Sequence, residues 1–187
     1  MLELDRDAFL WVVEHRVGPL DPVFVGLSLV GYAGAVWIAL AAGLAAWTRR
    51  RIVATAALTA AAVWSADLLS LGIKALVERP RPFEALPAVE TLLGGTVGTS
   101  FPSGHAATSV AGAVTMALLV RRALPALVLL GLAIGYSRVY VGAHYPLDVL
   151  GGAALGGAVG LAFALGIRRR VLPSGARRGS GGRRPRG

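Results

Sequence analysis

The chain has no cysteine among its 187 residues. That excludes a disulfide framework, a thiolate metal site and a cysteine nucleophile. Charge is also scarce: 16% of residues are charged against 55% hydrophobic, and the mean hydropathy is +0.65. A soluble domain of this size is not built that way. The first residues, MLELDRDAFLWVVEHRVG, do not read as a signal peptide, being acidic at the start with no apolar core and small-residue cleavage site. No internal repeat is visible. Acids are few, ten against nineteen Lys and Arg, for a formal charge of +9. In a soluble protein that excess would suggest nucleic acid, but here the position of the charges points to a bilayer.

What the chain does have is long apolar blocks, several reaching the roughly 20 residues that a span needs. Residues 1–18 are expected to form an amphipathic helix lying on the membrane surface, with Phe9, Val12, Val13 and Val17 on its apolar face. Pro19 and Pro22 break it. Five spans follow: about Val23–Trp47, Ile52–Val77, Gly104–Val120, Ala123–Val141 and Leu147–Ile167. The expected fold class is therefore all-α, a polytopic membrane helix bundle, with residues 1–172 as one domain. Residues 173–187 are a Gly/Arg-rich tail expected to be disordered, either bound to anionic lipid or solvated. Gly152, Gly156 and Gly160, four residues apart, mark a face of close helix packing.

Arg49–Arg51, Arg121, Arg122 and every arginine from Arg168 onward fall at one set of helix ends. The positive-inside rule makes that set cytoplasmic. The opposite ends then face outside, and they carry nearly all the acids and the polar motifs.

Three motifs converge at that outer face. In GYSRVYVGAHYPLDVLGG, Gly135 to Gly152, Pro146 suits a first helical position and Asp148 falls in the first turn of the same helix. His144, just outside it, can donate one ring nitrogen to Asp148 and keep the other free to attack an electrophile. Arg138, before the Gly142 turn, can hold a fork of donors over the same spot. In KALVERPRP, Pro80 and Pro82 extend the residues before them, so Lys74 and Arg81 can bend toward one anion. Arg79 and Glu78 read as groups that only reach water from a span's end. In SFPSGH, Ser103 is an N-cap, the helix from Gly104 offers free N–H groups to an anion, and His105 can act as acid or base. His15 reads as a surface residue. Asp67, two turns before Lys74, reads as a buried acid paired with Lys74 or another buried polar group.

Together these motifs resemble the type 2 phosphatidic acid phosphatase (PAP2) superfamily, lipid phosphatases related to the vanadium haloperoxidases. The family pattern K-x6-RP, PSGH and SR-x5-H-x3-D is matched by Lys74, Arg81 and Pro82; by Pro102, Ser103, Gly104 and His105; and by Ser137, Arg138, His144 and Asp148. The match covers about Ile52 to Ile167, and size and layout look like the bacterial undecaprenyl or other isoprenyl diphosphate phosphatases. The resemblance implies that His144 attacks phosphorus to give a phosphohistidine, that Asp148 orients it and that His105 protonates the leaving oxygen. It further implies that Lys74, Arg81, Arg138, Ser103 and the Gly104 backbone hold the phosphoryl oxygens. The expected activity is hydrolysis of a polyprenyl diphosphate, at the outer membrane face, with no metal or other cofactor and no nucleic-acid partner. A lipid phosphomonoester such as phosphatidate or phosphatidylglycerol phosphate is the alternative substrate, and a non-catalytic anion-binding or transport protein the alternative class. Against transport, the polar residues cluster at one end rather than near the midplane.

Overall fold

A computed structural model describes residues 3–47, 52–94, 98–119 and 121–171, and its regular elements are all helical. Arg49–Arg51, the tail 173–187 and the side chains of Arg121 and Arg168–Arg170 lie outside the described residues, so the charge clusters expected to be cytoplasmic rest on the sequence.

The elements run α1 Glu3–Glu14, α2 Asp21–Val30, α3 Ala35–Trp47, α4 Ile52–Val77, a one-turn α5 Pro82–Ala85, α6 Gly104–Leu119, α7 Leu124–Tyr140 and α8 Pro146–Val171. Among the described residues, two stretches are long and apolar enough to cross a bilayer: Ile52–Ala85 (α4 and α5) and Pro146–Gly166 of α8. The pair α2 and α3 would make a third. The other two expected spans are shorter helices, α6 with 16 residues and α7 with 17. α6 occupies the middle of the bundle, packing on α8, α4 and α7 with Ala106, Ala107, Ala111 and Met116 buried.

The α6–α8 contact is made by backbone against backbone, as the glycine spacing predicts. A Cβ on Gly152 would lie 2.3 Å from the Ser103 carbonyl oxygen, one on Gly156 2.1 Å from that of Ala107, and one on Gly160 2.8 Å from that of Ala111. No side chain fits in that space. Across the bundle Trp37 of α3 is fully buried, lies against Gly112 and donates its Nε1–H to Ser109 Oγ at 3.2 Å.

Two expectations change. The first span is not one helix from Val23 to Trp47: α2 and α3 meet at 76° across a 3-10 turn at Tyr32–Gly34. Gly34 has φ +67° and a Cβ there would sit 2.2 Å from Val63 Cγ1, so both its conformation and its close packing call for glycine. A uniformly apolar run hides such a break, because hydropathy does not register backbone direction. The α1 helix forms as expected, but its apolar side is seated on protein. Phe9 is fully buried and meets the Tyr145 ring edge-on at 5.2 Å, beside Val139 and Val89, while Leu4 and Trp11 are exposed. Asp5 is buried too.

The glycine contact generates a test. Gly156→Ala should destabilise the protein by about 1–3 kcal/mol through overpacking. Gly157→Ala, whose new Cβ would meet only Val110 Cγ1 at 3.8 Å, should be neutral or slightly stabilising because alanine is the better helix former. Thermal unfolding of the two variants in detergent measures the difference; equal melting temperatures would contradict it.

Candidate active site

The C-terminal ends of α4 and α7 and the N-terminal ends of α6 and α8 meet at one end of the bundle, where connecting segments stitch the three motifs together. Ser100 N–H donates to the Arg79 carbonyl at 2.8 Å and Ser103 N–H to the Asp148 carbonyl at 2.9 Å. Leu92 N–H donates to the Val141 carbonyl at 3.0 Å. α4 ends with Glu78 in the left-handed region, φ 47°, which turns the chain sharply and aims Arg79 back at the bundle.

A cavity of about 430 Å³ lies here, bordered by Lys74, Arg81, Gly104, His105, Arg138 and His144. Ser28, Tyr32, Asp67 and Ser70 complete its polar wall, and Leu29, Leu71 and Leu93 its apolar one. A larger apolar groove of about 730 Å³ between α1, α6, α7 and α8 carries no histidine, acid or cation and cannot be the reacting site.

Each cation at the cavity is tethered by oxygen atoms. Lys74 Nζ donates to the Thr99 carbonyl at 2.6 Å. Arg81 donates Nε–H to the Gly98 carbonyl at 2.7 Å and Nη1–H to the Ala143 carbonyl at 3.1 Å. Arg138 Nη1 donates to Ser28 Oγ, and its buried Nε has no hydrogen-bond partner. Ser70 Oγ is likewise buried without one. Buried donors left open are uncommon, and these two border a cavity whose charge suits an anion.

His144 is buried in the 141–145 connection. Its Nε2 lies 3.4 Å from Arg81 Nη1, toward the cations, and its Nδ1 lies 3.6 Å from Asp148 Oδ2. The expected bond to Asp148 is thus a contact somewhat longer than a hydrogen bond. Burial holds the His144 pKa down at about 4; Asp148 opposes the shift, while Arg138 and Arg81 add to it. The resting imidazole is therefore neutral, with a lone pair available. Asp148 is itself held from three sides: Tyr145 N–H donates to Oδ2 at 2.8 Å, Arg79 Nη1 to Oδ1 at 2.6 Å, and its own helix begins there. Ser103 caps α6, its Oγ accepting the Ala106 N–H at 3.4 Å, and His105 in the first turn has Nε2 3.1 Å from the Ser28 carbonyl.

All eight expected site residues thus gather at one end, with six of them lining the cavity and Ser103 and Asp148 outside its lining. Two readings need correction. Arg79 is not a group reaching for water: it bridges Asp148 and Asp5, donating to Asp5 Oδ2 at 2.6 Å, with its guanidinium 4.3 Å over the Tyr145 ring. Asp67 is half-buried rather than buried, and of the two partners read for it Lys74 makes no direct ion pair, because its ammonium is turned to the loop carbonyls. Ser28 and Asp5 went unread because they lie far from every motif. A charge in an otherwise apolar helical face is the one signal that singles out Asp5.

A pocket at one end of the helix bundle with clustered cations, a histidine beside a carboxylate and a second histidine is suited to a phosphoryl group. The chain belongs to the PAP2 superfamily, whose pattern matches residues 52–172. It is a phosphoric-ester hydrolase of the PAP2 lipid phosphatase type and a multi-pass membrane protein. It is 33% identical over 152 residues to the undecaprenyl-diphosphatase BcrC of Bacillus subtilis, covering 81% of this chain and 77% of that protein. It is 37% identical over 136 residues to the decaprenylphosphoryl-5-phosphoribose phosphatase of Mycobacterium tuberculosis (strain H37Rv), covering 72% and 73%. The fold is that of a transmembrane PAP2-type phosphatidylglycerolphosphate phosphatase from Bacillus subtilis, with TM-score 0.75 at 22% identity over 91% of this chain and 87% of that one.

The depressed His144 pKa gives a pH prediction. If His144 is the nucleophile, protonation removes its lone pair, so kcat/KM should hold as pH falls through 6.5, the ordinary histidine value, and drop only near pH 4. A pH profile corrected for substrate ionisation checks this. An acid limb centred at 6.5 would show that His144 is not the group being titrated.

Proposed function

We propose that the protein hydrolyses a polyprenyl diphosphate at the outer face of the membrane through a phosphohistidine on His144. The observation that carries this reading is the position of His144 Nε2 among Arg81, Arg138 and Lys74 at the polar end of a cavity that also has a leucine wall. His144 Nε2 attacks the terminal phosphorus and the bond to the leaving lipid phosphate oxygen breaks, with His105 supplying a proton to that oxygen. His105 then takes a proton from water, which attacks the phosphohistidine and releases inorganic phosphate with His144 restored. Asp148 stabilises the imidazolium form. Lys74, Arg81, Arg138, the Ser103 hydroxyl and the Gly104 N–H hold the three equatorial oxygens, where charge develops in the transition state. These cations supply the electrostatics without a metal ion. Among the described residues, no three His, Asp or Glu side chains are grouped to hold one.

The polyprenyl substrate is supported by the names of both relatives above, which act on undecaprenyl and decaprenyl lipids. A lipid phosphomonoester is the second reading, favoured by the phosphoribose relative. Residues 1–172 are read as one catalytic domain and 173–187 as a basic cytoplasmic tail.

A phosphate-release assay in detergent with undecaprenyl diphosphate, farnesyl diphosphate, phosphatidate and phosphatidylglycerol phosphate tests the substrate. Release should be greatest from the isoprenyl diphosphates, survive EDTA and vanish in His144→Ala. Preference for a glycerol lipid would favour the second reading, and full activity in His144→Ala would sink the mechanism.

Sidedness follows from the arginine clusters at alternate helix ends. Single cysteines placed at positions 86–93 of this cysteine-free chain should react with an impermeant thiol reagent in whole cells, and cysteines at 174–187 should not. The reverse pattern would move the site to the cytoplasmic face.

A further inference from the structure

We infer that Asp5 and Arg79 are positioning residues for the reaction, with α1 acting as a clamp that sets how Asp148 is presented to His144. Arg79 uses one guanidinium nitrogen, Nη1, on Asp148 Oδ1 and the other, Nη2, on Asp5 Oδ2, each at 2.6 Å. An arginine facing a single carboxylate tends to engage both of its oxygens at once. Asp5 prevents that by occupying Nη2. Asp148 Oδ2 is thereby left for the Tyr145 N–H and for His144 Nδ1.

Asp5 does a second thing. Its Oδ1 accepts the Leu147 N–H at 2.8 Å, one of the free donors in the first turn of α8, next to Asp148 in sequence. One carboxylate therefore fixes both the arginine and the backbone that carries Asp148. Charge points the same way. Arg79 alone would neutralise Asp148, whereas Asp5, Arg79 and Asp148 together sum to one negative charge beside the histidine that becomes cationic. Asp5 and Asp148 are both almost wholly buried, with side-chain exposures of 1% and 0%. Phe9 packs edge-on against the Tyr145 ring on which Arg79 is stacked, an apolar contact separate from the polar ties that Asp5 makes. An interfacial helix serving only as an anchor has no need of a buried carboxylate at this point.

The inference rests on His144 being the nucleophile, and its test reads His144 without turnover. Full-length protein labelled with nitrogen-15 histidine and purified in detergent contains three histidines; the His144 signal is assigned by its loss in His144→Ala. At pH 7 the wild type should carry its ring proton on Nδ1. Asp5→Asn frees Arg79 to take both Asp148 oxygens and should give a mixture of tautomers. Arg79→Lys, which cannot bridge two carboxylates with a fixed fork, should do the same and serves where Asp5→Asn does not fold. Phe9→Ala loosens α1 without removing a charge and should keep the Nδ1 proton while lowering the melting temperature. With farnesyl diphosphate, Asp5→Asn should lower kcat about tenfold or more, the usual cost of losing an outer partner that orients a reacting group, with KM within about twofold. An Nδ1 tautomer unchanged in both Asp5→Asn and Arg79→Lys would overturn the inference. So would the same mixing in Phe9→Ala, since α1 would then act only as packing. Wild-type protein that releases no phosphate from farnesyl diphosphate counts against the proposed substrate, and the tautomer comparison still decides the role of Asp5.

Discussion

The structure depends on keeping three cations close together in a site largely withdrawn from water. At about 6 Å and an effective dielectric of 20, two unit charges repel by about 3 kcal/mol. Lys74, Arg81 and Arg138 are held against that repulsion by fixed oxygens: the carbonyls of Thr99, Gly98 and Ala143, and the Ser28 hydroxyl. Those oxygens belong to the connections between helices and to α2. The polar loops are therefore structural parts of the site, and the bond from Ser103 N–H to the Asp148 carbonyl locks two of its motifs together.

Such a site requires rigid support, which comes from the backbone contact of α6 with α8. Glycines 152, 156 and 160 let the two helices approach until only hydrogen atoms fit between them. His105 at the start of α6 and Asp148 at the start of α8 are then fixed relative to one another. Preorganisation of this kind is what electrostatic catalysis needs, since groups that must reorient during reaction lose much of their effect. The bend between α2 and α3 serves the same end: it brings the Ser28 carbonyl to His105 and the Ser28 hydroxyl to Arg138.

Arg79 illustrates how position along a span can mislead. A basic residue just past an apolar helix, next to a glutamate and two prolines, has every local mark of a side chain reaching for water. Its partners are Asp148, 69 residues away, and Asp5, 74 residues away. No local pattern encodes either distance. Asp67 is the converse case, a half-buried acid for which local spacing offered Lys74 as partner, while the loop carbonyls took the ammonium.

Much of the site was legible because its chemistry is written in local motifs. Pro146 before Asp148, Ser103 before Gly104 and the paired prolines after Lys74 each set backbone geometry within a few residues, and glycine spacing set the α6–α8 contact. Composition alone determined that the chain is a helical membrane protein, because apolar blocks of span length leave the backbone no other way to satisfy its hydrogen bonds in lipid. The sequence could not determine where the first span breaks, that α6 is enclosed by other helices, or that α1 sits on the site. Those were decided by packing: Gly34 against Val63, α6 enclosed by three helices, and Phe9 against Tyr145. Hydropathy measures transfer out of water, which is the same whether an apolar face meets lipid or protein. Only the tertiary contacts distinguish the two.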